Sequence, residues 1–407
     1  MPSEISIYFH EIVNWIKLYH ASEILTVKIP EPMVIDPLSP NGWELFRVLG
    51  KTSGIYAFAV PGRVTHLSWS TNLPRRLRRL LYGSDGAPSI LANRLGESAA
   101  TVQYWLTSSR LESSLLLYEL AKTHFTDDYL LRLRLRMPWF VALTGIDRFA
   151  RLTITNRLGR GDGSAIGPFP SREGAQRYGE EVLGSFFLRR CSEELSPAPE
   201  HPGCIYGEMN LCLRPCQCAV SESEYRREAE QVEDFLLTNG KNTLARLTLQ
   251  RDQAASDTDF ETAAQIHKRI EKLKLATKSR DEVITNVQHF SGVAVTPGRE
   301  AHQVRLWPMV MSYWQDPLTL DLREGYDAET LSFHSRLQQV LTPVFSRPTR
   351  EGQQEENLAM FARWYYSSFR DGDWIAFTDA DKANHRKLAR RLSKWVKEGA
   401  KNEAKIS

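Results

Sequence analysis

The 407-residue sequence has no long uncharged apolar run and no visible export signal. A membrane helix needs roughly 20 consecutive apolar residues, and Glu4, Glu11 and Lys17 interrupt the apolar N-terminal segment. Hydrophobic residues make up 42% of the chain and charged residues 25%, which excludes a disordered or collagen-like protein. We therefore expect a cytoplasmic protein with no membrane partner and with cores large enough for several domains.

Cysteine is scarce and confined to one segment. The chain has five cysteines, none of which precedes Cys191, and all five lie between Cys191 and Cys218. An odd number without signs of secretion argues against a disulfide framework and favours a metal or redox site. Unrelated core cysteines would not be gathered in this way.

Four of these cysteines have a spacing that can hold a metal group. Cys191, Cys204, Cys212 and Cys216 are separated by 13, 8 and 4 residues, and Cys218 is left over. Four thiolates in one loop can complete a zinc site or hold an iron–sulfur cluster. The segment lacks the paired C-x-x-C motifs of a zinc ribbon, so a cluster is slightly favoured, and the spacing alone leaves both open.

Charge of one sign does not dominate the whole chain, but it dominates parts of it. The formal net charge is +3, yet residues 51–100 carry seven Lys or Arg against two acidic residues. Residues 381–407 carry nine against three, while residues 1–50 are acidic. Basic segments suit a polyanion such as nucleic acid. For the C-terminal run, a solvated helix face is the alternative.

The most regular pattern is a hairpin followed by a basic helix. Apolar runs at 54–60 and 64–69 flank the turn Pro61-Gly62, which predicts two antiparallel strands. Asn72 then offers an N-cap to a helix over 73–81 whose leucines form one stripe beside Arg75, Arg76, Arg78 and Arg79.

The remaining periodicities predict an α+β fold. Helices are expected at about 111–125, 171–187, 221–278 with a break at 239–240, 328–341, 353–369 and 379–398. Strands are expected at 139–144, 152–155, 293–295 and 304–307. Alternation over 131–136 predicts a further strand that would place Arg132, Arg134 and Arg136 on one face.

Five features occur in a recognisable order. They are Gly54-Ile55-Tyr56, the basic helix from Asn72, Gly167-Pro168-Phe169-Pro170, the four cysteines, and the run from Asp259 to Ile270. From about residue 50 to 285 they resemble the UvrC family, the nuclease subunit of bacterial nucleotide excision repair. The four-cysteine spacing resembles the family's 4Fe-4S segment, and this resemblance decides the cluster over zinc.

The resemblance implies a domain order. Residues 1–50 are an N-terminal extension, and 51–145 resemble a small GIY-YIG-type α/β nuclease domain. Residues 146–220 are a linker and iron–sulfur module, and 221–286 are helical with a UVR motif. Residues 287–407 form a small α+β region of unknown role, without the acidic residues of the family's second, RNase H-like nuclease domain.

The implied nuclease site is incomplete. Tyr56 and Arg76 match the family's tyrosine and arginine, but His66-Leu67-Ser68-Trp69 stands where the family reads Tyr-Ile-Gly-Lys. The family's metal-binding glutamate falls at Leu117, and Glu119 lies a rotation of about 200° away on a helix. His66 is a candidate general base, although a lone histidine is more often structural. Mg²⁺ or Mn²⁺ is expected only if the site is active.

The resemblance also implies partners. DNA is one, and the charge of Arg75, Arg76, Arg78, Arg79, Arg132, Arg134 and Arg136 makes them the residues expected to contact its phosphates, although the family has acidic residues and a lysine in the stretch of the last three. UvrB is expected to contact the UVR motif at Phe260, Glu261, Ala263, Ala264 and Ile270, with a hairpin that packs on its own domain as the alternative. The expected function is UvrC-like excision repair with impaired incision, and the alternative is an inactive regulatory paralogue that binds DNA and UvrB.

Overall fold

The computed structural model describes residues 29–145, 149–159, 164–300, 302–321 and 354–377. Within these ranges the chain combines helices with three antiparallel sheets, so the predicted α+β class is confirmed. No helix in these ranges is both long and apolar enough to cross a membrane. The predicted helices at 328–341 and 379–398 and the basic C-terminal run lie outside the described residues.

The first sheet is built around the predicted hairpin. Strands β1 (Met33–Ile35), β2 (Ser53–Val60), β3 (Arg63–Ser70) and β4 (Thr101–Thr107) hydrogen-bond in the order β1-β4-β2-β3. β2 and β3 meet at a turn where Gly62 has a φ of +84°, a conformation that suits glycine. The hairpin prediction is confirmed, and β3 lies at the edge of the sheet.

Helices cover one face of this sheet. They are α1 (Pro40–Val48), α2 (Leu73–Leu81) and α3 (Ile90–Glu97). α2 begins at the predicted cap, because Oδ1 of Asn72 accepts a hydrogen bond from the N–H of Arg75 at 3.1 Å. Its buried leucines, Leu73, Leu77 and Leu81, pack with Tyr56 and Phe58 of β2.

Helix α4 (Arg110–His124) is apolar on more than one side, and two of those sides are buried. Leu116 and Leu120 pack against Ile55 of β2 and its neighbours on the other face of the first sheet. Leu111 and Tyr118 belong instead to a core that includes residues of the C-terminal region. α4 confirms the helix predicted at 111–125.

Helix α5 (Tyr129–Leu133) occupies the stretch for which alternation predicted a strand, so that prediction is wrong. The helix ends at Arg134, whose φ of 48° and ψ of 44° are left-handed. Arg132 forms an ion pair with Asp128 one turn earlier at 2.8 Å, a spacing that stabilises helices. Arg132, Arg134 and Arg136 therefore do not share the face of a strand.

The second sheet forms the middle of the chain. It contains β5 (Trp139–Thr144), β6 (Arg151–Thr155), β7 (Ala165–Phe169) and β8 (Thr285–Asn286) in the order β6-β5-β7-β8. Helices α6 (Arg172–Leu183) and α8 (Glu222–Thr238) pack in its core. The short α7 (Ile205–Glu208) comes between them along the chain, in the cysteine segment. β5 thus pairs outside the first domain to which the sequence assigned it; the domain boundaries stay a prediction.

A helical hairpin follows α8. It consists of α9 (Lys241–Ser256) and α10 (Phe260–Lys278). The predicted break is confirmed, since Asn239 and Gly240 both have positive φ. A Cβ at position 240 would lie 2.6 Å from the ring of Phe235, so the turn requires glycine.

The third sheet belongs to the C-terminal region. Its strands are β9 (Gly292–Pro297), β10 (Gln303–Val310), β11 (Tyr313–Trp314), β12 (Leu318–Asp321) and β13 (Asp373–Ala376). Helix α11 (Gln354–Tyr365) packs against it through Phe361 and Trp364. The strands predicted at 293–295 and 304–307 are confirmed.

Polar contacts join this region to α4 and α5. Glu112 of α4 is 6% exposed and forms an ion pair with Arg305 of β10. Glu356 of α11 accepts hydrogen bonds from the hydroxyl groups of Tyr118 and Tyr129, the latter at 2.9 Å. The first and third sheets are therefore held together through α4.

Replacing Glu112 with Gln tests this connection. The change leaves the Arg305 guanidinium without its charge partner, and we expect a loss of about 3 kcal/mol in the free energy of unfolding, measured by urea denaturation. Glu44→Gln is the control, because Glu44 pairs with Arg47 at the surface at 3.6 Å and such pairs contribute about 0–1 kcal/mol. Equal losses in the two variants would contradict a stabilising role for the Glu112 pair.

Candidate functional site

Tyr56 lies in the middle of β2, where its ring is 1% exposed. It pairs with Ser68 on β3 and Tyr104 on β4. Its hydroxyl oxygen accepts a hydrogen bond from Nε of Arg76 on α2 at 3.4 Å. The structure therefore brings together the tyrosine and the arginine that the sequence predicted as a pair.

His66 joins them from the edge strand. It pairs with Phe58, its ring stacks on that of Phe58 at 5.4 Å between centroids, and the ring of Tyr56 is 5.8 Å away. Burial lowers the pKa of His66, and the positive charges of Arg76 and Arg132 lower it further. The imidazole is therefore neutral near pH 7, and it lies among cationic groups.

Among the described residues, no carboxylate contributes to the pKa shift of His66. Both charged groups that shift the pKa of His66 are cations. Across the described residues, no group of three or more His, Cys, Asp or Glu side chains is arranged to hold a metal ion. Since Mg²⁺ and Mn²⁺ need oxygen ligands, mainly carboxylates, the residues around Tyr56 do not fit such an ion.

Leu117 occupies the position at which the family resemblance places a metal-binding glutamate. Its half-buried side chain packs against the apolar cluster that includes Ile55 and Leu67. Burial and the hydrogen bond to Glu356 raise the pKa of Tyr118, and the charge of Glu119, two residues on from Leu117, raises it further.

The predicted phosphate-contacting arginines differ in availability. Arg75, Arg76 and Arg79 are exposed on α2, whereas the guanidinium of Arg78 lies 5.4 Å from the ring centre of Trp43. Arg134 and Arg136 are also exposed. Arg132 pairs with Asp128 and stacks on Phe125 at 4.1 Å, but its charge still reaches His66. The sequence did not reveal this electrostatic effect, because Arg132 and His66 lie far apart along the chain.

The cysteine segment is folded into one closed loop. The N–H of Ala198 donates to the carbonyl of Cys216 at 3.0 Å, and the N–H of Leu213 donates to the carbonyl of Phe187 at 3.0 Å. These bonds hold the first half of the segment against the second. Cys212 and Cys216 are buried, Cys191 and Cys204 are half-buried, and Cys218 is exposed.

The four predicted cysteines share one electrostatic environment. Burial raises the pKa of Cys212, and the thiols of Cys191, Cys204 and Cys216 raise it further. Burial also raises the pKa of Cys216, together with Cys204 and Cys191. Cys218 is not among the groups that cause either shift. Four neighbouring thiols match the donor set of an iron–sulfur cluster.

The residues predicted to meet a partner divide into two groups. Phe260 is 69% exposed at the start of α10, and Glu261 and Ala264 are exposed beside it, while Ala263 is half-buried. Ile270 is 1% exposed and packs in the core of the second sheet. The prediction that Ile270 lies on a docking face is therefore wrong, because it anchors the hairpin to the molecule.

Comparison with known proteins agrees with this arrangement. Residues 138–235, from β5 through most of α8, match the family model of the UvrC/Cho excinuclease middle domain. Residues 241–276, the helical hairpin, match the UvrB/uvrC motif. Over these two regions the chain is similar to the UvrC family. No solved structure matches it.

Curated UvrC relatives match part of the chain. The UvrABC system protein C of Carboxydothermus hydrogenoformans is 28% identical over 63% of this chain and 42% of its own length. That of Oleidesulfovibrio alaskensis is 30% identical over 60% of this chain and 35% of its own length. That of Alcanivorax borkumensis is 27% identical over 52% and 34%. The matches therefore span less than half the length of these UvrC proteins.

The charges around His66 can be tested by NMR titration. We expect the His66 imidazole to titrate below pH 6.5, and we expect Arg76→Gln to raise its pKa because one cation that disfavours imidazolium is removed. In the wild type, the pKa of His66 is lower in the folded than in the unfolded chain, so the unfolded chain binds the proton more tightly. His66 should therefore lower stability as the pH falls from 6.5 through its folded pKa.

His124 is the internal control for this titration. Burial alone lowers its pKa, so Arg76→Gln should leave its titration unchanged. If the pKa of His66 does not move in Arg76→Gln, the two side chains do not interact as described.

Proposed function

We propose that this UvrC-like chain binds DNA and UvrB in nucleotide excision repair and does not cut DNA at its GIY-YIG-type site. The observation that carries the proposal is the composition of that site. It joins a phenol, a neutral imidazole and the Arg76 guanidinium. The position at which the family resemblance places the metal-binding carboxylate is Leu117, which packs against an apolar cluster on the other face of the sheet.

Binding without cutting follows from what each group can do. Guanidinium groups bind phosphate whether or not a metal is present, and exposed Arg75, Arg76 and Arg79 lie on one short helix. Hydrolysis at such a site needs a metal ion to polarise the phosphoryl group, which is worth several kcal/mol of transition-state stabilisation. The site therefore favours retention of a phosphodiester over its cleavage.

An active nuclease is the second candidate function, since the family name describes an excinuclease. It would need a carboxylate beside the Tyr56–Arg76 pair. The retained pairing of Tyr56 with Arg76 is the observation in its favour.

Binding and cleavage of lesion-bearing duplex DNA separate the two candidates. We expect salt-sensitive binding without Mg²⁺- or Mn²⁺-dependent nicks. The double change Arg75→Gln, Arg76→Gln should weaken binding. The negative slope of log K against log salt concentration should become shallower by about 2, roughly 0.9 for each lost phosphate contact.

Arg94→Gln is the matched control, because Arg94 is an exposed arginine of the same unit on α3. It should change binding much less. Metal-dependent nicks that disappear in Arg76→Gln would establish the nuclease and overturn the binding proposal.

We also propose that Cys191, Cys204, Cys212 and Cys216 hold a 4Fe-4S cluster. The loop in which they lie is closed by backbone hydrogen bonds, and each of the other three thiols acts electrostatically on Cys212. The choice of a cluster over zinc rests on the resemblance of the four-cysteine spacing to the UvrC family's 4Fe-4S segment. When bound, a cluster would cross-link this loop and supply one-electron redox chemistry.

The hairpin supports the UvrB partner. It matches the UvrB/uvrC motif, and it exposes two large apolar side chains: Leu249 in the middle of α9 is 72% exposed, and Phe260 at the tip is 69% exposed. Exposed apolar side chains on a helical hairpin are available to a second helical pair. Ile270 is left out of this surface because it is buried.

Phe260→Ala tests the docking surface. Phe260 is largely exposed, so the change should leave folding intact, and loss of an aromatic anchor should weaken UvrB binding at least tenfold in a titration of purified proteins. Leu275→Ala is the control, because Leu275 is a 65% exposed residue near the other end of α10. Equal affinities for the wild type and Phe260→Ala would support a hairpin that serves only its own domain.

A further inference from the structure

Arg189 is held in place from three directions, two residues before the first cysteine. Its N–H donates to the hydroxyl oxygen of Tyr225 on α8 at 2.8 Å. Its Nε donates to the carbonyl of Phe149 at 2.9 Å, and Nη1 donates to the carbonyl of Glu193 at 2.7 Å. The side chain therefore has little freedom to move.

This fixed guanidinium lies beside a cysteine sulfur. Nη1 of Arg189 is 3.7 Å from Sγ of Cys191 and 3.4 Å from the carbonyl oxygen of the same residue. Nη1 of Arg151 on β6 lies 3.4 Å from that carbonyl as well. Cys191 is thus placed among positive charges that bond to it directly.

Tyr225 extends the support into the core. Its ring is fully buried, and its hydroxyl donates to the carbonyl of Ala150 at 2.8 Å while it accepts from Arg189. The segment that leads to Cys191 is therefore fixed both to α8 and to Phe149 and Ala150, which come directly before β6. Cys191 needs such support more than the other cysteines do, since it is 13 residues from the next one.

We infer that Arg189 is a positioning residue for the proposed cluster: it orients Cys191 and, through its hydrogen bond to the sulfur, raises the cluster's reduction potential. The inference rests on the cluster proposed above. A cationic donor stabilises the more negative, reduced state of a thiolate-bound cluster, and hydrogen bonds to the sulfurs are among the factors that set cluster potentials.

The test compares four full-length proteins purified without oxygen: the wild type, Arg189→Gln, Arg189→Lys and Arg190→Gln. Iron and sulfide are counted for each, and the midpoint potential is measured by redox titration with electron paramagnetic resonance. Arg190→Gln removes the same charge one residue away. Arg190 donates to the carbonyl of Leu183 at 2.8 Å and lies over the ring of Tyr206.

We expect about four iron and four sulfide per wild-type chain. Arg189→Gln should have a lower midpoint potential than both the wild type and Arg190→Gln, and Arg189→Lys, which keeps the charge, should restore most of the difference. If Arg189→Gln loses its cluster, retention in Arg189→Lys and in Arg190→Gln supports the positioning role.

Two results would overturn the inference in distinguishable ways. Equal potentials and equal iron contents in Arg189→Gln and Arg190→Gln would remove the role of Arg189 and leave the cluster in place. Wild-type protein without iron and sulfide would remove the cluster itself, and the role of Arg189 with it.

Discussion

The burial of helix α4 on two sides is the constraint on which the rest of the structure depends. One side packs Leu116 and Leu120 against the first sheet. The other packs Leu111 and Tyr118 into the core of the third sheet, beside the second sheet. A helix that is apolar on several sides is stable only when those sides are buried. Separating either sheet from α4 would therefore expose leucine side chains of the helix to solvent. The Glu112–Arg305 pair fixes the register of this contact, because a buried charge left unpaired costs more than the pair contributes.

The same constraint shapes the chemistry of the site. The resemblance to the UvrC family places a metal-binding carboxylate on this helix, at the position of Leu117, whose half-buried side chain packs against an apolar cluster. A carboxylate at that position would have to be desolvated within the cluster, which is unfavourable without a bound cation. Tyr56 and Arg76, on the opposite face of the sheet, do not depend on α4 for their contact. The contact between Tyr56 and Arg76 can therefore form whether or not position 117 carries a carboxylate.

Features with a short-range physical cause were predictable from the sequence, whereas those with a long-range cause were not. Asn72 predicted the start of α2 because capping is local, and the Pro61-Gly62 turn predicted the hairpin for the same reason. Alternation at 131–136 misled, because a helical turn begins after Asp128 and the left-handed Arg134 ends it. The proximity of Arg132 to His66 and of Arg189 to Cys191 left no pattern in the sequence. Both depend on how separate elements pack or on how a loop closes.

The two proposed binding elements of the middle region share one support. Tyr225 and Ile270 lie in the same buried core: the first holds the segment leading to Cys191, and the second anchors α10. The burial of Ile270 is what leaves Phe260, almost three helical turns earlier, projecting into solvent. A hairpin fixed at its base and open near its tip presents its apolar side chains with little loss of conformational entropy on binding. A change that loosens α8 through Tyr225 therefore acts on the cysteine loop and on the docking surface together, even though the partner would touch only the tip.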